Sequence, residues 1–271
     1  MPDFAIKVAS ADDVKRIMAW AKDEGWNPAN TDGFAFHAQD PGGFLMGRLD
    51  GKPVACISVV KYGAGFGFLG CYIARSEIRG KGYGIQVWRA GMARMDGRNV
   101  GLDGVVAQQG NYRKSGFVLA WRNVRYAGTA RQGASSADAG AAAIVPLTNV
   151  DFAALCADDR RVFPAPRERF LRAWIGTSDA TALACVEGAR LAGWGVIRRC
   201  REGHKIAPLV SCIGSALAWA ERSAQPVERL RYRPGRGSAR RGPRWRGPQR
   251  RHPHRKASPR EERPGLAGSG E

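Results

Sequence analysis

Long apolar runs are missing from this chain. No stretch of its 271 residues approaches the roughly eighteen uninterrupted apolar residues of a membrane-spanning helix, so no membrane partner is expected. The opening MPDFAIKVASADD has acids where a secretory signal needs an apolar centre. Cysteine is sparse and scattered: the six residues Cys56, Cys71, Cys156, Cys185, Cys200 and Cys212 contain no Cys-x-x-Cys pair, which argues against a zinc site and against a disulfide framework. A reducing, cytoplasmic setting is the expectation. Histidine is scarcer still, with four residues. His204 has no metal-ligand companion, and His252 and His254 lie in a run of unusual composition, so no metal is expected.

Acidic charge is also in deficit, and the formal net charge is +19. Its location matters more than its size. Residues 211–271 hold 15 Lys and Arg against 5 Asp and Glu, a net of +10, which leaves +9 for residues 1–210. The basic excess is therefore concentrated in RYRPGRGSARRGPRWRGPQRRHPHRK, a run that cannot bury a core and is expected to be disordered. It has the character of an out-of-frame reading of a GC-rich gene. A genuine tail would instead bind nucleic acid through counterion release.

What the chain does contain is an α/β pattern. Residues 1–128 predict a helix over Ala11–Glu24, with Val14, Ile17, Met18 and Ala21 on one face, followed by strands near Phe44–Leu49, Val54–Val60 and Phe66–Ala74. A helix from about Gly82 to Met95 stacks Ile85, Trp88, Met92 and Met95 as core residues, and a strand near Leu102–Ala107 and a short helix ending at Gly116-Phe117 close the unit. Residues 129–143, TARQGASSADAGAAA, read as a linker. Residues 144–210 predict helices around Asp151–Ala157 and Pro166–Ile175, then strands at Ala182–Glu187, Leu191–Arg199 and Lys205–Val210, with no catalytic grouping.

Chemistry concentrates in Glu77-Ile78-Arg79-Gly80-Lys81-Gly82-Tyr83-Gly84, between a strand and a helix. Three glycines let a ligand approach the backbone, and the free N–H groups and dipole of the first helical turn favour an anion. With Arg79 and Lys81 beside them, a phosphate or pyrophosphate site is implied. Lys81 is followed by Gly82 and not by Ser or Thr, so the magnesium-binding hydroxyl of a Walker loop is missing. Gly65-Phe66-Gly67-Phe68-Leu69-Gly70 has the dinucleotide GxGxxG spelling, but it runs on into strand where that motif needs a helix.

Arg79-x-x-Gly82-x-Gly84, preceded by Tyr72-Ile73-Ala74-Arg75-Ser76-Glu77, resembles the pyrophosphate loop and fourth strand of GNAT acetyltransferases. Downstream, Asn111-Tyr112-Arg113-Lys114-Ser115-Gly116-Phe117 resembles that family's Tyr-x-x-x-Gly-Phe element, and the likeness covers about Ile6 to Gly128. Glu24-Gly25-Trp26-Asn27-Pro28 and Leu102-Asp103-Gly104-Val105-Val106-Ala107-Gln108-Gln109 are similar to a subgroup with a second, divergent GNAT-like lobe, of which residues 144–210 resemble the first part. The resemblance implies a mixed central sheet flanked by helices, a partial second lobe, and acetyl-CoA as the acyl donor.

It further implies that an amine acceptor, a small molecule or a peptide, attacks the thioester directly. By the same analogy Cys71, Tyr72 and Ile73 offer backbone groups to the pantetheine arm, Arg79, Gly80, Lys81, Gly82, Tyr83 and Gly84 hold the pyrophosphate, and Asn111 joins the cofactor set. Tyr112 stands at the position of the general acid. No Asp or Glu lies on Gly63–Ala74, so Asp103 or a bound water is the candidate base. Trp26 and Phe36 are acceptor-site candidates and His37, in an expected loop, a weaker one. Cys71 has no histidine near it in sequence and reads as a small packing residue, not a nucleophile. The other readings are a non-catalytic acyl-CoA-binding protein and a nucleic-acid-binding protein using the basic tail.

Overall fold

The computed structural model describes residues 2–129, 142–211 and 224–232. The chain enters as a short strand, β1 (Phe4–Val8), and turns into α1 (Ala11–Asp23) through a capping box. The Ser10 hydroxyl accepts the Asp13 N–H at 3.2 Å, and the Asp13 carboxylate accepts the Ser10 N–H at 3.1 Å. A cap of this kind is worth about 1 kcal/mol. A second helix, α2 (Asp32–Gln39), precedes β2 (Phe44–Leu49), β3 (Lys52–Tyr62) and β4 (Phe66–Ala74). Then come α3 (Tyr83–Arg94), β5 (Asn99–Gly104), α4 (Gln109–Lys114) and β6 (Phe117–Tyr126).

Strand alternation sorts the core onto two faces. Phe44, Met46, Cys56 and Val60 meet Val14, Ile17, Met18 and Ala21 of α1, while Leu45, Ile57, Val59 and Leu102 meet Val87 and Trp88 of α3. The sheet is thus filled from both sides, with α1 on one and α3 on the other.

The second lobe is built from β7 (Ala142–Pro146), α5 (Phe152–Val162), α6 (Glu168–Ile175), β8 (Ala180–Glu187), β9 (Arg190–Arg199) and β10 (His204–Ser211). Its strands form an antiparallel sheet in the order β10-β9-β8-β7. Leu155 of α5 and Phe170, Leu171 and Trp174 of α6 pack on Ala184, Trp194 and Val196. The lobes meet where the α2 ring of Phe36 packs on Phe170 and Trp174, with centroids 5.2 and 5.7 Å away, and where Phe163 wedges against Tyr62 and Phe66.

Three expectations are corrected. Ala224–Tyr232 forms a strand, β11, inserted between β5 and β6, and it takes in Arg231 and Tyr232, the first two residues of the run expected to be disordered. Its register sets Glu228–Tyr232 against Gly104–Val100 of β5 and Ala224–Tyr232 against Tyr126–Phe117 of β6. Two sheet edges otherwise left with open N–H and C=O groups supply the reason for pairing. Residues 212–223 and 233–271 lie outside the described residues. The linker over 129–143 also ends early, since Ala142 and Ala143 already pair with Glu187 and Val186, and residues 130–141 lie outside the described residues. Finally, Phe36 and His37 sit on the helix α2 and not in a loop. Among the described residues no helix is long and apolar enough to cross a membrane.

Candidate active site

Strand β4 pairs in parallel with β5 over Phe66–Leu69 and Asn99–Leu102 and then leaves it, although β4 continues to Ala74. The cause is local. On the other side of β4, register with β3 slips between Ser58↔Gly70 and Cys56↔Ile73, so Cys71 and Tyr72 oppose the single residue Ile57. Cys71 takes a left-handed φ of 43°, which bends the strand as a bulge does. Beyond Leu69 the main-chain groups on the β5 side of β4 have lost their ladder neighbour, and this gap between the strand ends is the candidate crevice. A splay at the carboxyl ends of parallel strands is where α/β sheets take their ligands.

The glycine-rich loop follows the end of β4 and leads into α3. Gly80 and Gly82 have φ of 81° and 87°, and a Cβ at either would meet nothing within 4 Å. Their backbone conformation, and not protein crowding, is what requires glycine. Gly82 is the N-cap of α3, leaving the first N–H groups of that helix without intrahelical acceptors and turned outward. Gly84 answers to a different demand, because a Cβ there would lie 3.1 Å from the Tyr72 hydroxyl and 3.4 Å from Ala74. It allows α3 to begin flush against β4.

Arg79 braces this loop. Its Nε donates to the Ala74 carbonyl at 2.7 Å, and its Nη2 meets Glu24 Oε1, at the end of α1, at 2.5 Å. The guanidinium is thus engaged with the protein, whereas the exposed Lys81 has no ion pair among the described residues. Glu24 was not singled out by sequence as a site residue. Its only signal was a place in the Glu24-Gly25-Trp26 wording, with nothing to link it to a residue 55 positions away.

Tyr112, on α4, has its ring against Gly104, where a Cβ would lie 2.9 Å from it. It stacks on Trp88 at 6.0 Å and meets Phe117 edge-on at 6.4 Å. Burial raises its phenol above the ordinary tyrosine range. Tyr72, edge-on to Trp88 at 5.2 Å, is raised further by burial and by the neighbouring Tyr112. Asn111 is held by a 2.7 Å bond from its Nδ2 to Gln108 Oε1.

Asp103 lies one residue from Gly104 on β5, so it points to the opposite face from Tyr112. Its carboxylate accepts the Asn123 amide of β6 at 3.2 Å. Cys71, Tyr72 and Ile73 stand at the bulge, and burial pushes the Cys71 thiol up to about 11, only partly offset by Ser58. Such a thiol is a poor nucleophile at neutral pH. Trp26 is 36% exposed, and its carbonyl accepts Lys205 Nζ of the second lobe at 2.7 Å. Phe36, by contrast, is part of the packing between lobes, against Phe170 and Trp174. Among the described residues no group of three or more His, Cys, Asp or Glu is placed to hold a metal.

Residues 11–129 match the model of the acetyltransferase (GNAT) family, and residues 155–216 match that of an acetyltransferase (GNAT) domain. The chain is 30% identical over 205 residues to holothin acyltransferase of Pseudoalteromonas sp. (strain SANK 73390), an alignment covering 76% of this chain and 68% of that one. Among solved structures, a Pyrococcus horikoshii protein classed with the acetyltransferases aligns at a TM-score of 0.66 with 20% identity, covering 84% of this chain and 88% of its own. A GCN5-related N-acetyltransferase from Kribbella flavida aligns at 0.53 with 16% identity, covering 85% and 71%. The two solved structures bear on the fold.

Proposed function

This chain belongs to the GNAT acetyltransferase family, and on that premise we propose that it moves an acetyl group from acetyl-CoA to a primary amine. That it is an acyl-CoA-dependent acyltransferase follows from the family and the relative; the acetyl group, the amine and the residue roles are our reading. The observation that carries it is the splay of β4 from β5 beyond Leu69, opening directly onto the glycine-rich start of α3.

In this reading the N–H groups of Gly80–Gly84 take the pyrophosphate, with Lys81 adding charge and Arg79 holding the loop in shape. The main chain of Cys71–Ile73 pairs with the pantetheine arm, as β5 would have done had it stayed alongside. A main-chain N–H at the bulge polarises the thioester carbonyl as charge develops on its oxygen. The amine nitrogen bonds to the carbonyl carbon, the carbon–sulfur bond breaks, and Tyr112 gives its proton to the departing thiolate. Asp103, or a water it orders, takes the proton from the amine. The opposite-face placement of Tyr112 and Asp103 favours this division, with amine arriving on the α1 side of the sheet and thiol leaving on the α3 side. Trp26 is retained as an acceptor-side residue, and Phe36 is not.

Calorimetric titration with acetyl-CoA tests the donor half. Saturable binding to the native chain, lost in Gly82→Val and Gly84→Val, is the expected result; binding that survives both would move the donor elsewhere. Turnover against amino acids, polyamines, peptides and holothin, the compound for which the relative is named, tests the acceptor half. A folded, acetyl-CoA-binding chain that acetylates no amine would reject it.

A further inference from the structure

At the other end of the sheet from the crevice, where β3 finishes and β4 begins, the two lobes leave a cavity of about 370 Å³. The first lobe contributes Gln39, Asp40 and Lys61 to its walls, and the second contributes Glu168 and Arg169 from the start of α6. No residue of the proposed acyl-transfer site lines it.

The charges around this cavity do not balance. The Asp40 carboxylate is fully committed, with one oxygen accepting Arg94 Nη2 at 2.7 Å and the other accepting the Lys61 main-chain N–H at 2.9 Å. Among the described residues no carboxylate lies within salt-bridge distance of the Lys61 ammonium. Arg98 stands near enough for its charge, like that of Arg94, to bear on Lys61, and burial together with these two cations holds Lys61 below the ordinary lysine range. Counting Arg169 and Glu168, four cations share the region with two carboxylates. Nearby polar atoms are also unsatisfied: Arg94 Nη1 and Arg98 Nε are buried without an acceptor. Leaving a buried donor unpaired costs about 1–3 kcal/mol, more when the group is charged.

We propose that this interlobe cavity is a binding site for a small polyanion, a phosphorylated or polycarboxylated metabolite, held by Lys61 and Arg169 and supported by the field of Arg94 and Arg98. An anion there lowers the mutual repulsion of the three first-lobe cations and gives the wall residues Lys61 and Arg169 a counter-charge. Because its walls come from both lobes, occupancy also ties the lobes together.

The test uses the full chain saturated with acetyl-CoA, so that the phosphate loop of α3 is already filled. Pyrophosphate and citrate are titrated at constant ionic strength against a sodium chloride control, with the thermal midpoint and calorimetric heat as readouts. A saturable response to pyrophosphate or citrate, absent with chloride, is expected. Lys61→Met should weaken it at least tenfold, Arg169→Glu should weaken it comparably, and Lys81→Met should leave it unchanged. Arg169 is exposed on α6, so its variant keeps the test valid if Lys61→Met fails to fold. A response of one anion alone still supports the site and identifies the headgroup class. No saturable response, a response retained in Arg169→Glu, or one lost only in Lys81→Met would overturn the proposal.

Discussion

Tyr112 is the residue on which the proposed chemistry is most exposed to test. Its burial against Trp88 and Gly104 raises its phenol above the usual range, so the protonated form needed to quench a thiolate persists well into alkaline solution. Activity governed by this acid should fall only as pH rises through that raised value, above about pH 10. Tyr112→Phe should lower kcat about 100-fold while leaving acetyl-CoA affinity within about twofold, and should abolish that alkaline limb; an unchanged kcat would remove Tyr112 from the mechanism. Gly82 makes a separate prediction. A side chain at its φ of 87° is strained by about 1–2 kcal/mol, so Gly82→Ala should weaken acetyl-CoA binding about tenfold by calorimetry without loss of overall fold.

At this scale sequence and structure agree unevenly. The glycine loop was legible because positive φ and an open helix start each leave a residue-level mark. Arg79 was legible as a loop residue but not as a brace, since its partner Glu24 is set by packing of α1 against the end of β4. Phe36 was legible as an aromatic residue between two recognised elements but not as a contact between lobes, since its partners Phe170 and Trp174 lie more than a hundred residues further along the chain.

Among elements, β4 was readable to its ends, Phe66–Ala74, as alternating bulky residues bounded by Gly63 to Gly65 and by the glycine-rich loop. The eight-residue α2 was not. Gly33 looks like a helix breaker, yet a Cβ there would lie 2.9 Å from Met18 and Val14, so this glycine lets α2 lie close on α1. Strand β11 was hidden inside an arginine-rich composition, because pairing partners about 100 or more residues distant are not visible in a local pattern. Its own sequence carries a consistent clue: Pro226 falls in the part paired with β6 alone, before pairing with β5 begins at Glu228, where a missing N–H is tolerated. Leu230 is paired on both sides, with Leu102 and with Leu119. Leu230→Pro should therefore lose a ladder bond worth about 1 kcal/mol and lower the thermal midpoint by at least about 2–4 °C, whereas Ala224→Pro, at the singly paired end, should shift it less. Equal shifts would argue against the insertion.

For the molecule as a whole, the interface between lobes carries a charged pair that sequence could not reveal. Arg198 of β9 is 4% exposed, pairs with Asp32 of α2 and lies 3.9 Å over the Trp174 ring. Burial lowers its guanidinium to about 10. Arg198→Met should destabilise the chain by about 3–5 kcal/mol in urea unfolding, since one buried partner is left without the other; a change under about 1 kcal/mol would show that the lobes are held by their aromatic contacts alone. Two separate lobes could be read from composition, but their mutual dependence could not.

That dependence has a consequence for how the chain is made. The main sheet takes β5 and β6 from early in the chain and β11 from beyond the second lobe. A ribosome releasing about 5–20 residues per second delivers Tyr232 roughly 5–20 s after Tyr126. Throughout that interval the nascent first lobe has two unpaired strand edges, and the second lobe completes its own sheet before the first can close.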